Sequence, residues 1–475
     1  MKKNFIYNII YQMLVLILPL ITVPYVSRVL GADGIGIYSY TYSIAYYFMI
    51  IAMLGLNNYG NRTIAKVRDD REKLSKEFCS IYAFQLVMSV MMVAIYLIYI
   101  IVFDNQYRLI AFLQIMYVIS SIFDINWFFF GMEKFKLTIT RNTIIKVVSL
   151  VFIFLFVKTP SDVWKYTAIL SGSTLFSNIV LFSFLPKYIK IVKIDVKDVF
   201  RHFKPNLILF LPVIAVSIYK IMDKIMLGVF STVKEVGYYE NSEKITQVPL
   251  SIITALGTVM LPRISNMLYN KKEDEVKSII AKTMPFVMFL ALPMAFGIIA
   301  VSKDFSLIFF GSEFEKSGYL IQLLSITIIF LSWGNVIRTQ YLIPKERDKE
   351  YVISAFLGAI INFIMNYIFI PKYNSIGACI GTITAEFVVM FYQSWVVRKE
   401  LPLKEYIQST RRIFINSVIM FIIIILVGKI FTNNIIIKVI VQVFVGIHIY
   451  ILLNIKYIFF SLGLNRILNK IRGES

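Results

Sequence analysis

The sequence predicts an all-α polytopic membrane protein of about fourteen transmembrane helices, and three observations lead there. The first is composition: of 475 residues, 58% are hydrophobic and only 16% charged, and the mean hydropathy is +0.74. A soluble chain lies nearer about 45–50% apolar and about 25% charged. The second is spacing. Apolar runs of about 20 residues recur between short polar stretches, the length a helix needs to cross a bilayer while satisfying its own backbone. The third is the placement of cations. With the N-terminus inside, 33 of the 49 Lys and Arg fall in loops on the cytoplasmic side, the asymmetry expected of membrane topology. That asymmetry accounts for the net charge of +21 and calls for no nucleic acid.

In chain order the spans are read at about 5–28, 35–56, 78–103, 109–130, 139–157, 163–185, 207–230, 237–259, 285–301, 319–341, 351–370, 376–397, 413–431 and 435–460. The opening Met-Lys-Lys-Asn and its apolar run have the look of a signal peptide. The run continues without a small-residue cleavage site, so it is read as the first span. An even count puts both termini in the cytoplasm, consistent with the basic tail 465–472. Outer connections are short, the longest at 302–318. The larger inner ones, 59–77, 186–206 and 262–284, are basic.

The stretch 186–206 alternates basic and apolar residues and reads as an amphipathic helix on the inner membrane surface. It divides an N-terminal six-helix lobe (1–185) from a second six-helix lobe (207–400), followed by helices 13–14 and the tail (401–475). A weak internal echo supports two halves: Leu18-Pro19, Leu30-Gly31 and Gly36 recur as Leu211-Pro212, Leu227-Gly228 and Gly237. Six spans per repeat give both halves the same orientation, around a central cavity. Pro19, Pro24, Pro212, Pro249 and Pro293 fall inside spans, where each removes a helical hydrogen bond and favours a bend.

Charges inside spans are the candidate functional residues. Lys220, Asp223 and Lys224 share one face of the seventh span. A charge at membrane depth costs about 2.5–3.5 kcal/mol on insertion scales and usually faces a bundle interior or a wet path. A hairpin turn centred between Val233 and Lys234 sets Asp223 opposite Lys244 and Lys224 opposite Glu243. Such pairs either fasten the hairpin or line a cavity, and Lys220 is left over as the cation for a ligand. Arg28 ends the first span and Arg338 the tenth, where both can snorkel to the interface. Asp124 and Glu386 are carboxylates that cannot reach as far. Cys79, Cys379, His202 and His448 suggest neither a disulfide framework nor a metal site. There is no Walker A sequence, metal-ligand cluster or nucleophile elbow. Short outer loops disfavour a membrane sugar polymerase or ligase, so no enzyme is expected.

Several stretches together resemble the Wzx-type polysaccharide repeat-unit flippases of the multidrug/oligosaccharidyl-lipid/polysaccharide exporter superfamily. They are Pro19…Pro24…Leu30-Gly31…Gly36-Ile-Tyr38, Gly55-Leu…Tyr59-Gly-Asn-Arg62, Asp124-Ile-Asn-Trp127…Gly131-Met-Glu133 and Tyr219-Lys-Ile-Met-Asp223-Lys-Ile-Met-Leu-Gly228…Glu235-Val-Gly-Tyr-Tyr239, running on to Leu261-Pro-Arg-Ile264. The resemblance implies a substrate: an oligosaccharide repeat linked through diphosphate to undecaprenol, turned from the inner to the outer leaflet for capsular, exo- or O-polysaccharide assembly. It implies alternating access through a cationic cavity. Arg28, Lys220 and Lys224 are then candidates for the anionic head, and Asp124, Asp223, Glu243, Lys244 and Glu386 for partners or coupling groups. No cofactor is implied, and coupling to H+ or Na+ is left open. Membrane lipids, a polysaccharide polymerase and chain-length proteins are candidate partners, and the bacterial cytoplasmic membrane is the expected location. Lipid II, a teichoic-acid precursor and, for an ion-coupled multidrug exporter, a cationic drug are the alternative cargoes.

Overall fold

The computed structural model describes residues 2–103, 106–430 and 434–461; the expected basic tail lies outside them. All long regular structure among the described residues is helical. The helices are α1 (Lys2–Met53), α2 (Leu56–Val67), α3 (Arg71–Val102), α4 (Arg108–Ile119), α5 (Asn126–Gly131), α6 (Phe135–Phe156), α7 (Val163–Phe182), α8 (Val196–Phe200) and α9 (Phe203–Phe230). They continue as α10 (Val233–Tyr269), α11 (Glu273–Phe310), α12 (Glu315–Ile337), α13 (Asp348–Tyr373), α14 (Ser375–Val397), α15 (Leu403–Ile430), α16 (Ile435–Leu453) and α17 (Ile455–Ser461). Twelve helical stretches among the described residues are long and apolar enough to cross a membrane. The expected count of fourteen treats α1 as two crossings and the α4–α5 pair as another.

The chain divides into two compact units, Met1–Glu240 and Asn241–Ser475. The first keeps α9 and the first two turns of α10, where the sequence led us to place the division at 186–206. Small residues explain the difference. α1 bends at Gly31, whose φ of 68° suits glycine. Beyond the bend Gly36 lies against the Val233 carbonyl and Gly237 against the Ala32 carbonyl, so closely that a Cβ at either would overlap it. Gly228 of α9 meets the Tyr40 ring in the same way. Such close backbone crossings are what small residues provide in membrane helices, and here they bind α9 and the start of α10 to α1.

Four expectations about connections are corrected. The inner loop 59–77 is taken up by the start of α3 and by α2, whose Leu56, Gly60 and Ile64 form one buried face. The loop 262–284 is taken up by the ends of α10 and α11, and the outer loop 302–318 shrinks to the turn around Gly311 because α11 runs on to Phe310. The linker 186–206 is not one amphipathic helix: residues 189–195 have no regular secondary structure, and the short α8 and the start of α9 follow. Its β-branched run Ile189-Lys-Ile-Val-Lys-Ile suits an extended backbone better than a helix. The fourth expected span breaks at Ser120–Ile125, between α4 and α5.

The motifs around Gly60 and Trp127 pack on one another. A Cβ on Gly60 would lie 2.5 Å from the Trp127 ring, and the indole N–H donates to Gln85 Oε1 at 2.9 Å. Trp127, Phe128 and Phe129 are fully buried there. The second unit has its own core, in which Met284, Val287, Met288, Ala291 and Ala295 of α11 are buried with Met420 and Ile424 of α15.

Candidate functional site

The break after α4 builds a polar cavity inside the first unit. In lipid, a helix can stop only where other groups satisfy its freed carbonyls. Gln85 of α3 does so, its amide donating to the carbonyls of Ser121 at 2.6 Å and Asp124 at 3.0 Å. Asn178 of α7 donates to the Ser120 carbonyl at 3.0 Å. Asp124 then restarts the helix, its Oδ1 accepting the Asn126 backbone N–H at 3.1 Å and its side-chain amide at 2.6 Å. The carboxylate read from the sequence as lying within the fourth span is thus the start signal of α5.

Asn126 passes the contact on. Its Oδ1 accepts from Arg141 Nη2 at 2.9 Å, while Arg141 Nη1 donates to the Ser177 carbonyl at 3.0 Å and Nη2 to Asn142 Oδ1 at 2.6 Å. Arg141 is only 7% exposed. The cavity in front of it measures about 540 Å³, within the usual range of ligand sites. One face of α6 (Arg141, Asn142, Ile145, Lys146, Ser149) and one of α7 (Tyr166, Leu170, Ser173, Ser177, Asn178) line it, with Leu18, Pro19 and Thr22 of α1. It holds two cations, one carboxylate, three carboxamides and several hydroxyls. That set suits a hydroxyl-rich, anionic ligand: a planar guanidinium matches phosphate or carboxylate oxygens.

A second polar centre lies in the α9–α10 hairpin, still within the first unit. The turn falls at Ser231–Thr232, two residues earlier than expected, and the register moves with it. Lys224 Nζ lies 2.7 Å from Glu240 Oε2, and the Tyr239 hydroxyl donates to Asp223 Oδ2 at 2.6 Å. Neither contact was among the pairs expected from the sequence register. Ser39 of α1 also donates to Glu240, at 2.9 Å. Asp223 is 1% exposed, and the Lys224 and Glu240 side chains are 11% and 15% exposed, so this is a mostly buried ion pair that Ser39 ties to α1. Tyrosines run between the two centres: Tyr38 packs edge-on against Tyr166, and the hydroxyls of Tyr42 and Tyr117 are 3.2 Å apart. Tyr117 and Tyr166 both line the cavity.

Of the eight residues singled out from the sequence, only Asp124 lines this cavity. Asp223 and Lys224 belong to the hairpin. Lys220 and Arg28 are exposed, and no ion pair is formed by Lys220 among the described residues. Glu243 and Lys244, both half-buried, belong to the second unit, as does Glu386, 7% exposed on α14. Arg141 and Lys146 escaped sequence reasoning. A cation three residues into a span, at its basic end, cannot be told from an interfacial one. The polar spacing of Ser173, Ser177 and Asn178 along the sixth span was the available signal.

An all-helical membrane protein with a broken helix and a polar interior is the architecture of transporters, and the comparisons agree. Residues 1–268 match the family described as polysaccharide biosynthesis protein, and the chain belongs to that family. The chain is 20% identical over 402 residues to a putative O-antigen transporter of Shigella dysenteriae, covering 84% of this chain and 100% of that one. It is 22% identical over 404 residues to one from Escherichia coli K12, covering 84% and 97%. Among solved structures it is similar to the lipid II flippase MurJ in an inward-closed conformation. The TM-score is 0.76 at 18% identity, with 96% of this chain and 99% of that one aligned. The fold is therefore that of the multidrug/oligosaccharidyl-lipid/polysaccharide exporter superfamily, as the Wzx-type resemblance implied, and the chain is a multi-pass protein of the bacterial inner membrane.

Proposed function

We propose that this chain is a flippase that carries an undecaprenyl-diphosphate-linked oligosaccharide from the inner to the outer leaflet, a transporter and not an enzyme. The observation that carries the reading is the buried Arg141 at the wall of a polar cavity in a member of the polysaccharide biosynthesis family. A diphosphate-sugar head cannot cross hydrocarbon unaided. Arg141 and Lys146 offer charge to the phosphates, Asn126, Asn142 and Asn178 offer amides to sugar hydroxyls, and the polyprenyl tail stays in lipid. Alternating access by the two halves, both termini cytoplasmic and fourteen crossings complete the proposal. An exporter of cationic drugs is the weaker reading, because the cavity has two cations to one carboxylate.

The test is deletion of the gene followed by mass spectrometry of lipid-linked oligosaccharides. The expected result is accumulation of complete repeat units on undecaprenyl diphosphate, held in the inner leaflet, with loss of surface polysaccharide. Normal surface polysaccharide with no trapped intermediate contradicts the reading. Accumulation of lipid II instead redirects it to cell-wall precursor.

A further inference from the structure

Residues 189–195, between α7 and α8, form a non-helical strap against α3. Its start is pinned: Ile189 is buried, the Lys190 N–H donates to Ser75 Oγ at 3.1 Å, and Tyr188 packs edge-on against Phe129. Beneath the strap is a cavity of about 750 Å³ whose walls are Phe78, Cys79 and Tyr82 of α3, Phe182 of α7, and the strap's own Ile191 and Ile194. Lys190 is the one charged residue in that lining. Lys187, Lys190, Lys193 and Lys197 are all exposed in and beside the strap, and of the two acids there, Asp195 and Asp198, the latter is already engaged by Lys76 at 3.2 Å. Large apolar side chains stand in the open beside these cations: Ile191 is 94% exposed, Val196 71% and Phe200 65%.

An apolar hole under a row of cations selects one chemistry, a hydrocarbon chain with an anionic head. Exposed apolar groups interleaved with lysines mark a segment that sits in the headgroup region, and such basic clusters bind anionic lipids. We infer that the strap is a binding site for an anionic membrane phospholipid, one acyl chain entering the cavity over Cys79 and the phosphate resting on Lys190 and Lys193. The site is separate from the polar cavity and needs no assumption about transport.

Native mass spectrometry of the full-length protein, released from nanodiscs of equal phosphatidylglycerol and phosphatidylcholine, tests this. Wild-type protein is expected to retain phosphatidylglycerol selectively. Lys190→Gln/Lys193→Gln and the cavity-filling Cys79→Trp are each expected to retain it at least fivefold less, with the thermal midpoint of the lysine variant unchanged. Cys79 also reports directly. It is half-exposed while Cys379 is buried, and a bound acyl chain slows its alkylation by a neutral maleimide until the lysines are replaced. Equal retention by wild type and the lysine variant overturns the proposal. So does retention of phosphatidylcholine at the same level, or selective retention of polyprenyl diphosphate, which would make the cavity part of the transport path.

Discussion

Each unit holds a cavity, and the two cavities are opposite in character. In the first, about 540 Å³ is walled by Arg141, Asp124, three asparagines and a series of hydroxyls. In the second, a cavity of about 450 Å³ between α11, α15 and α16 is lined by Phe289, Pro293, Met294, Met420, Ile424, Gly446 and Tyr450. Its only polar group of note, the Tyr450 hydroxyl, is already spent on the Phe289 carbonyl at 2.8 Å. Both units are bundles of long apolar helices, so helix packing alone does not create the polar site. What creates it is the interruption of one helix, which obliges Gln85, Asn178 and Asp124 to face inward and leaves room for Arg141 among them. The second unit has an irregular helical turn of its own, but there the backbone stays paired, the Ile343 N–H donating to the Arg338 carbonyl at 3.0 Å. There, the π-turn Arg338–Leu342 is held by a cluster in which Glu400 accepts from Tyr341 at 2.6 Å and pairs with Arg347 at 2.7 Å.

Three perturbations sharpen this contrast. The largest is at the hairpin. Lys224→Ala removes the ammonium 2.7 Å from Glu240 in a mostly buried pair and is expected to cost about 3 kcal/mol, at the low end for breaking a buried pair. Lys224→Met with Glu240→Gln is expected to recover most of it. Lys220→Ala, on an exposed residue, should leave stability unmoved. Thermal unfolding in detergent reads all three, and an unchanged midpoint for Lys224→Ala removes the pair from the architecture. Next comes Gly60→Ala, which drives a methyl into the Trp127 ring and is expected to cost about 1–3 kcal/mol by overpacking. A midpoint equal to wild type would show that α2 does not support the α4–α5 break.

The smallest effect is a pH dependence confined to the second unit. Burial works against the charge on Glu400, but the Tyr341 hydrogen bond and the charges of Arg347 and Lys345 more than offset it and hold its carboxyl below the ordinary range. A carboxylate with a lowered folded-state pKa stabilises above its unfolded value, near 4.5, and loses that contribution as pH falls through the folded value. Wild type is therefore expected to lose stability more steeply than Glu400→Gln between about pH 5 and pH 3. Parallel curves would remove the cluster's role.

Much of the fold was legible because membrane helices are written in long apolar runs. Segment existence followed from hydropathy, and the small-residue motifs turned out to be the places where α1, α9 and α10 touch. Helix ends were not legible, since polar residues such as those of 262–284 continue a helix into the aqueous layer as readily as they form a loop. The candidate site was legible only through Asp124. The turn after Phe230 lies two residues earlier than expected, and with it Glu240 comes against Lys224, a partner the expected register did not offer. The break at Ser120–Ile125 carries no proline or glycine to announce it. It depends on Gln85 and Asn178, far away in the chain, which sequence spacing cannot bring together.

The most direct test of the polar cavity is transport by Arg141→Ala in liposomes carrying a diphosphate-linked oligosaccharide. Hydrogen bonds to a charged partner are worth about 1.5–3 kcal/mol each. If Arg141 holds the head group, flipping by the folded, inserted protein should fall by about 10- to 100-fold, with Arg141→Lys intermediate. The unfolding midpoint falls as well, because acceptors on Asn126, Asn142 and Ser177 lose their donor. Full activity of Arg141→Ala would contradict the assignment of the head-group site to the first unit's cavity.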